Sequence, residues 1–148
     1  MCIRDSNTLG KHERRFRAFK EFVRQKIDLP MLQRVFPLGT VLKNVRIEVS
    51  GDLSFGRQMG SYPILVGIPL RLERNTILDV VIVDWGMRSL TALPVPVRIN
   101  TLPATAIRWL PGIGKKKVGT VLAKRPFVTL DAYRAVAGRS VIDPLLAF

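Results

Sequence analysis

Cysteine and histidine are almost missing from this chain. One cysteine, Cys2, and one histidine, His12, occur in 148 residues. So few ligands cannot build a zinc site or hold an iron–sulfur cluster. A Ser-His-Asp arrangement would need His12, which sits in the charged run Lys11-His-Glu-Arg-Arg15 on the expected solvent side. Acidic side chains are scarce too: 11 against 24 basic ones, for a net charge of +13. Asp79 and Asp84 flank one apolar run, but an odd separation sends them to opposite faces of a strand. They make a poor acid–base pair. No G-x-x-x-x-G-K-[ST] loop occurs, so a nucleoside-triphosphatase reading has no support. No apolar run is long enough to span a bilayer, and the charged N-terminus lacks an apolar signal segment. A cytoplasmic location without a membrane partner is therefore expected. The chain carries no catalytic constellation.

A hydrophobic content of 47% is ample for a core. The excess charge is uneven. Residues 7–39 carry 8 basic and 3 acidic side chains, residues 40–99 carry 7 and 5, and residues 100–148 carry 8 and 2. A nearly neutral middle between two basic ends favours a polyanionic partner, either nucleic acid or an anionic surface.

The pattern divides the chain into segments. From Lys11 to Ile27, Phe16, Phe19, Val23 and Ile27 recur on one helical stripe. Pairs spaced i, i+4 (Glu13 with Arg17, Arg17 with Glu21) support the helix. Arg14, Arg15, Lys20 and Arg24 form its other face, either a nucleic-acid surface or simply a solvated one. Pro30 is expected to end this helix, and Pro37 to close a short turn over Met31 to Phe36. Residues 7–39 thus read as a helical segment.

Residues 40–97 read as a small β domain. Val41 to Val49 alternates, with Val45, Ile47 and Val49 on one face. Further runs cover Leu53 to Arg57, Ile64 to Ile68, Ile77 to Asp84 and Arg88 to Val95. The near-continuous Val80-Val-Ile-Val83 suits a central strand. Short, regular spacing predicts a small antiparallel barrel or curled sheet. Pro94 and Pro96 suggest an extended linker after it. Two loops, Phe55 to Pro63 and Asp84 to Ser89, combine glycine, arginine and an aromatic. Arg57, Gln58, Tyr62, Trp85 and Arg88 are candidates to clamp or stack on a nucleotide. The same loops read equally as bulges and barrel-end plugs.

Residues 98–148 form the last segment. Thr101 is placed to cap a helix running from Ala104 to Leu110, with Pro103 in its first turn. Pro111 stops it. Gly112 and Gly114 permit a tight turn into a second helix, Lys115 to Ala123, with Val118, Val121 and Leu122 on one face. Thr129 can cap a third helix from Leu130 to Val136, ended by Gly138. Ile142 and Leu145 to Phe148 are expected to fold back as cover. The opening amides of the second helix point outward and carry its positive dipole end. Bare glycines would let a phosphate oxygen reach them. The candidate nucleic-acid contacts are Gly112, Ile113, Gly114, Lys115, Lys116, Lys117, Lys124 and Arg125. Three lysines oppose the dipole, a conflict an anionic partner would relieve. The turn reads otherwise as a tight corner or a protein-docking surface.

Leu110-Pro-Gly-Ile-Gly-Lys-Lys-Lys117 resembles the helix-hairpin-helix module of nucleic-acid-binding proteins. That family usually has a small alanine where Val118 stands. Ile99-Asn-Thr101 through Arg125-Pro-Phe127 is similar to the hairpin module of bacterial DNA-uptake receptors. Residues 11–127 resemble the C-terminal portion of an archaeal-type radical S-adenosylmethionine (radical SAM) enzyme with a C-terminal helix-hairpin-helix. The likeness rests on Ile27-Asp-Leu-Pro-Met31, Phe36-Pro-Leu-Gly-Thr40, Phe55 to Pro63, Val83-Asp-Trp-Gly86 with Arg88-Ser89, and the glycine turn. It implies an upstream barrel in cis holding an iron–sulfur cluster and S-adenosylmethionine, with neither cofactor in this chain. Met1-Cys-Ile-Arg-Asp5 also resembles the translated end of a sequencing adapter, with the adapter's last bases opening the Ser6 codon. Residues 1–6 are therefore expected to be an artefact, and the chain a C-terminal fragment. The expected fold is α+β: an N-terminal amphipathic helix, the small β domain, and the helix-hairpin-helix. DNA or structured RNA is the expected partner. The competing expectation is a docking module that packs on the catalytic barrel and binds no nucleic acid.

Overall fold

A computed structural model describes the backbone of residues 6–148 and the side chains of residues 12–148. The expected artefact falls almost wholly outside the described residues. The architecture is mixed α+β: an N-terminal helix, a closed five-stranded barrel, and a group of short helices packed on one barrel wall.

Helix α1 spans Ser6–Val23 and α2 spans Leu29–Val35. Between them Arg24–Asp28 forms a π-helical turn, in which the Leu29 N–H donates to Arg24 O. Pro30 does not end the helix, as expected, but lies in the first turn of α2. Proline clashes with the carbonyl four residues back and offers no N–H. Widening the preceding turn accommodates that defect and lets the helix continue. The Glu13–Arg17 pair forms, while Glu21 accepts a bond from Gln25 instead of meeting Arg17. The apolar stripe is not covered: Phe19 is 62% exposed, and Phe16, Phe22 and Ile27 are similarly open.

The barrel strands are β1 Val41–Val49, β2 Ser54–Gln58, β3 Leu65–Ile68, β4 Ile77–Trp85 and β5 Ser89–Pro94, in the closed order β1-β2-β3-β5-β4. The expectation of a wholly antiparallel sheet fails at one seam, where β3 and β5 run parallel. The connection over Pro69 to Thr76 and the full length of β4 intervene between them, enough chain for a parallel crossover. In β1, Leu42 and Val45 both face the interior although three positions separate them. Asn44, at φ 55°, takes up the extra residue in a bulge. A second register shift follows Ile47 and turns Val49 outward, 55% exposed, against the alternation expected of it. Gly56 is required in β2, because a Cβ there would stand 2.5 Å from Arg46 O.

Strand β4 explains its own apolar run. Val80 and Ile82 join the barrel interior with Leu42, Val45, Ile47, Val66 and Leu90. Val81 and Val83 point the other way, into a second core with Leu93, Ile99, Ile107, Val121 and Ile142. A strand buried on both faces loses the alternating pattern.

Pro94 and Pro96 do not make a linker. Pro94 still pairs with Val80, and the Val95 N–H donates to Asp79 O at 3.0 Å. β6 (Val97–Arg98) then pairs in parallel with β7 (Leu146–Ala147) near the end of the chain, so the expected fold-back is present. The last segment contains α3 Ala104–Ile107, α4 Lys115–Ala123, α5 Leu130–Ala137 and a 3-10 turn at Asp143–Leu145. Thr101 does not cap α3. Its hydroxyl donates to Arg98 O, and Pro103 holds the cap position, with extended backbone and no N–H to satisfy. Thr129 does cap α5, accepting from the Ala132 N–H at 3.2 Å, and Gly138 stops it at φ 90°. Asn100 clasps Phe127 through both backbone groups at 2.8 Å, joining the two ends of the segment.

Candidate phosphate-binding turn and barrel loops

The site begins with a turn. Leu110-Pro-Gly-Ile113 closes through the Ile113 N–H onto Leu110 O at 3.0 Å. Proline at the second position and glycine at the third make the arrangement of a type II turn. Gly112 has the positive φ of 83° that the third position demands. Ile113 turns inward and is buried, so it anchors the turn and its amide is used internally. Gly114 is the N-cap of α4, at φ −83° and ψ 169°, and supplies no capping side chain. Among the described residues, the N–H groups of Gly112, Gly114, Lys115 and Lys116 have no acceptor. A Cβ built on Gly112 or Gly114 would meet nothing within 4 Å. The corner is open on its outer side.

The expected lysines divide. Lys115 and Lys116 are exposed beside the free amides. Lys117 folds back instead, its Nζ donating to Gly112 O at 3.3 Å and Ala137 O at 3.1 Å. It ties the turn to the C-terminal carbonyls of α5, a use invisible in a string of three lysines. Lys124 and Arg125 follow the other end of α4, about 13 Å along the axis at roughly 1.5 Å per residue. They do not share the corner. Two nitrogens of Arg125 are buried without a hydrogen-bond partner among the described residues, and burial pushes its guanidinium below the ordinary value.

The two glycine–arginine–aromatic loops separate as well. Trp85 ends β4, and its Nε1 donates to Phe36 O at 2.8 Å, locking α2 against the barrel mouth. Arg88 pairs with Asp28 at 3.4 Å across the same seam. Both residues therefore hold the helix. Gly86 keeps the connection tight, since a Cβ there would stand 2.6 Å from Ser89 Oγ. The other loop is open. Arg57 and Gln58 lie on β2, bonded to Glu48 at 2.6 Å and to Lys43 O at 2.7 Å. Tyr62, 98% exposed, stands free. On the neighbouring surface Lys43 bonds to Asp79 and, with the Asn44 N–H, holds that carboxyl below its ordinary range.

Sequence reasoning missed Arg46, Arg74 and Asn75, which line one surface pocket with Arg57. Their positions depend on strand register and on the positive φ of Asn75, signals a pattern of residue types does not carry. Among the described residues no three or more His, Cys, Asp or Glu side chains gather as a metal site, and no helix is long and apolar enough to cross a membrane.

No family model matches this chain, and no solved structure does. It is similar to an uncharacterized protein of Archaeoglobus fulgidus, 37% identical over 135 residues, covering 90% of this chain and 25% of that one. It is also similar to an uncharacterized protein of Methanocaldococcus jannaschii, 48% identical over 94 residues, covering 62% of this chain and 17% of that one. The chain thus spans a quarter or less of the length of these archaeal relatives.

Proposed function

We propose that this chain is a nucleic-acid-binding module of a larger enzyme, and that its glycine corner grips the phosphate backbone. The observation that carries the reading is the open space outside Gly112 and Gly114, over amides that nothing in the described chain accepts from. An oxyanion entering there meets the positive end of α4. Lys115 and Lys116 add charge on the same side. α3, the glycine turn and α4 would then act as a helix-hairpin-helix. Backbone contacts of this kind hold any sequence alike.

The parent protein, on this proposal, is a radical SAM enzyme. The likeness lies in the segments around Pro30, Pro37, Gly56 and Trp85, and the great length of the archaeal relatives leaves ample room for a catalytic domain. This chain would present the nucleic acid, while the iron–sulfur cluster and S-adenosylmethionine would belong to the remainder.

The test is binding of the 148-residue chain to duplex DNA and to a structured RNA, read by fluorescence anisotropy over a salt series. Affinity should fall with salt by a log–log slope of about 0.9 for each duplex phosphate contacted. Gly114→Val should weaken binding to every sequence equally. The φ of Gly114 suits any residue and the space is open, so the fold should survive. Unchanged affinity in that variant would remove the corner from the contact.

A second reading has its own observation. Phe16, Phe19, Phe22, Ile27, Met31 and Val35 leave a long apolar face uncovered on α1 and α2. On this reading the helices dock on another part of the longer protein and the charge only aids solubility. Salt-insensitive association with the remainder of the relative, with no retention on DNA, would favour it.

A further inference from the structure

On the outer barrel wall, away from the glycine corner, Arg46 on β1 and Arg57 on β2 stand directly opposite one another in the register. Like charges so placed oppose strand pairing. Arg57 is relieved by Glu48 at 2.6 Å. Arg46 is not relieved by any acid among the described residues: its guanidinium donates to the neutral Asn75 Oδ1 at 2.7 and 3.3 Å. Arg74, next in the chain, faces the same pocket and likewise has no acidic partner among the described residues. Glu48 lines the pocket too, its carboxylate held by Arg57, which leaves Arg46 and Arg74 as the cations without an acidic partner there among the described residues. The pocket measures about 250 Å³, large enough for one phosphate group with its sugar linkages.

Asn75 fixes this arrangement. At φ 68° it holds a conformation that asparagine tolerates better than most residues. Its N–H donates to Ile47 O at 2.8 Å while its side chain orients Arg46. The Arg46 fork is therefore set before any ligand arrives. Gly60 and Pro63 form the rim. Between them in the chain lies Tyr62, 98% exposed, and Met59 beside the rim is 83% exposed. Folding alone gives no reason to gather two guanidinium groups without acidic partners among the described residues in one concavity, and to leave a phenol ring bare on the loop whose Gly60 and Pro63 line it. A phosphate joined to a flat aromatic ring answers both features.

We propose that this pocket is a second nucleic-acid site, which takes a phosphate of an unpaired strand between Arg46 and Arg74 and stacks the adjoining base on Tyr62. A paired base cannot offer its face to a ring, so the site selects single strands or splayed loops. The corner at Gly114 grips backbone of any kind, and the barrel pocket adds a preference for unpaired nucleotides. The pocket stands on its own residues, and its assignment survives failure of the corner.

The test uses the 148-residue chain with labelled oligo-dT, oligo-rU and a blunt mixed-sequence duplex. Tyr62→Ala should weaken both single strands about five- to hundredfold, the range for losing one stacked base. Tyr62→Phe should bind as the parent does. The double variant Arg46→Gln/Arg74→Gln should weaken single strands and flatten their log–log salt dependence by about 0.7 for each phosphate no longer neutralised. Duplex affinity should stay at the parental value in all three. Tyr62 is bare of contacts, so its substitution leaves the fold intact and the readout clean. Gly114→Val distinguishes the sites, because it should lose duplex while the Tyr62 dependence of single-strand binding persists. Parental single-strand affinity in both Tyr62→Ala and the arginine variant overturns the proposal. So does an equal loss of duplex and single strands, which would mean that only overall charge was measured.

Discussion

Replacing Gly114 with aspartate should make the protein more stable and a poorer ligand for nucleic acid at once. Gly114 caps α4 without a side chain. Aspartate in its place accepts from a free first-turn amide, a gain of a few tenths of a kcal/mol over glycine (about 0.3). Its charge at the positive end of the helix, beside Lys115 and Lys116, adds about 0.3–1 kcal/mol. No strain offsets this, because the backbone angles suit any residue and nothing lies within 4 Å of the new Cβ. The sum, about 0.6–1.3 kcal/mol, should raise the melting temperature by about 1–5 °C in a chain of this size. The same carboxylate occupies the approach of a phosphate and repels it. Losing one or more charge-assisted bonds, each about 1.5–3 kcal/mol, should weaken binding roughly ten- to hundredfold. Calorimetry and anisotropy on parent, Gly114→Asp and Gly114→Ser separate the parts, since serine caps without charge. A variant that melts higher yet binds as tightly as the parent would refute the corner as the contact. One that melts lower would refute the claim that α4 starts uncapped.

Lys117→Ala should cost about 1 kcal/mol in thermal denaturation, since its ammonium serves Gly112 O and Ala137 O. It should weaken nucleic-acid binding less than Lys115→Ala or Lys116→Ala does. Asp143 is 95% buried and pairs with Arg134 Nε at 2.7 Å. Asp143→Ala should therefore destabilise the chain by about 2 kcal/mol, below the range for fully buried pairs because Arg134 is partly exposed. The Tyr133 hydroxyl is pushed up to about 12, chiefly by burial and then by the nearby Asp143 carboxylate. Its ordinary value is about 10. The folded chain then holds a proton the unfolded chain has lost, so stability present below pH ~10 should decline by about 2 kcal/mol as pH rises toward ~12. Denaturant titrations across that interval check it, and in a Tyr62→Phe background the tyrosinate absorbance should rise only near the upper limit. Trp85→Phe should cost about 1 kcal/mol by deleting the bond to Phe36 O. Faster hydrogen exchange in α2 should accompany it.

Much of the framework was legible because local pattern decided it. Lys115–Ala123 and Val41–Val49 have the bounds the residue pattern predicts, and Thr129 and Gly138 bracket α5 as cap and stop. The failures arise where distant parts of the chain settle the matter. Alternation predicts an inward Val49, but two bulges reset the phase of β1. Proline rules predict a break at Pro30, but the wide turn Arg24–Asp28 just before it absorbs the defect. The parallel seam between β3 and β5 leaves no trace in either strand's composition. The glycine corner was readable because its requirement is local, a positive φ at Gly112 and bare space at Gly114. The destination of Lys117 was not, since the carbonyl that captures it comes from α5. Arg46 and Arg57 share a wall only through the pairing of β1 with β2.

Strand β4 faces two interiors at once. Removing the residues after position 97 would strand Val81 and Val83 in water, and removing those before it would deprive Ile107 and Val121 of their floor. Heat or denaturant should then dismantle barrel and helices in a single event. Neither half is a portable part, and a load on the outer helices is felt directly by the β wall beneath them.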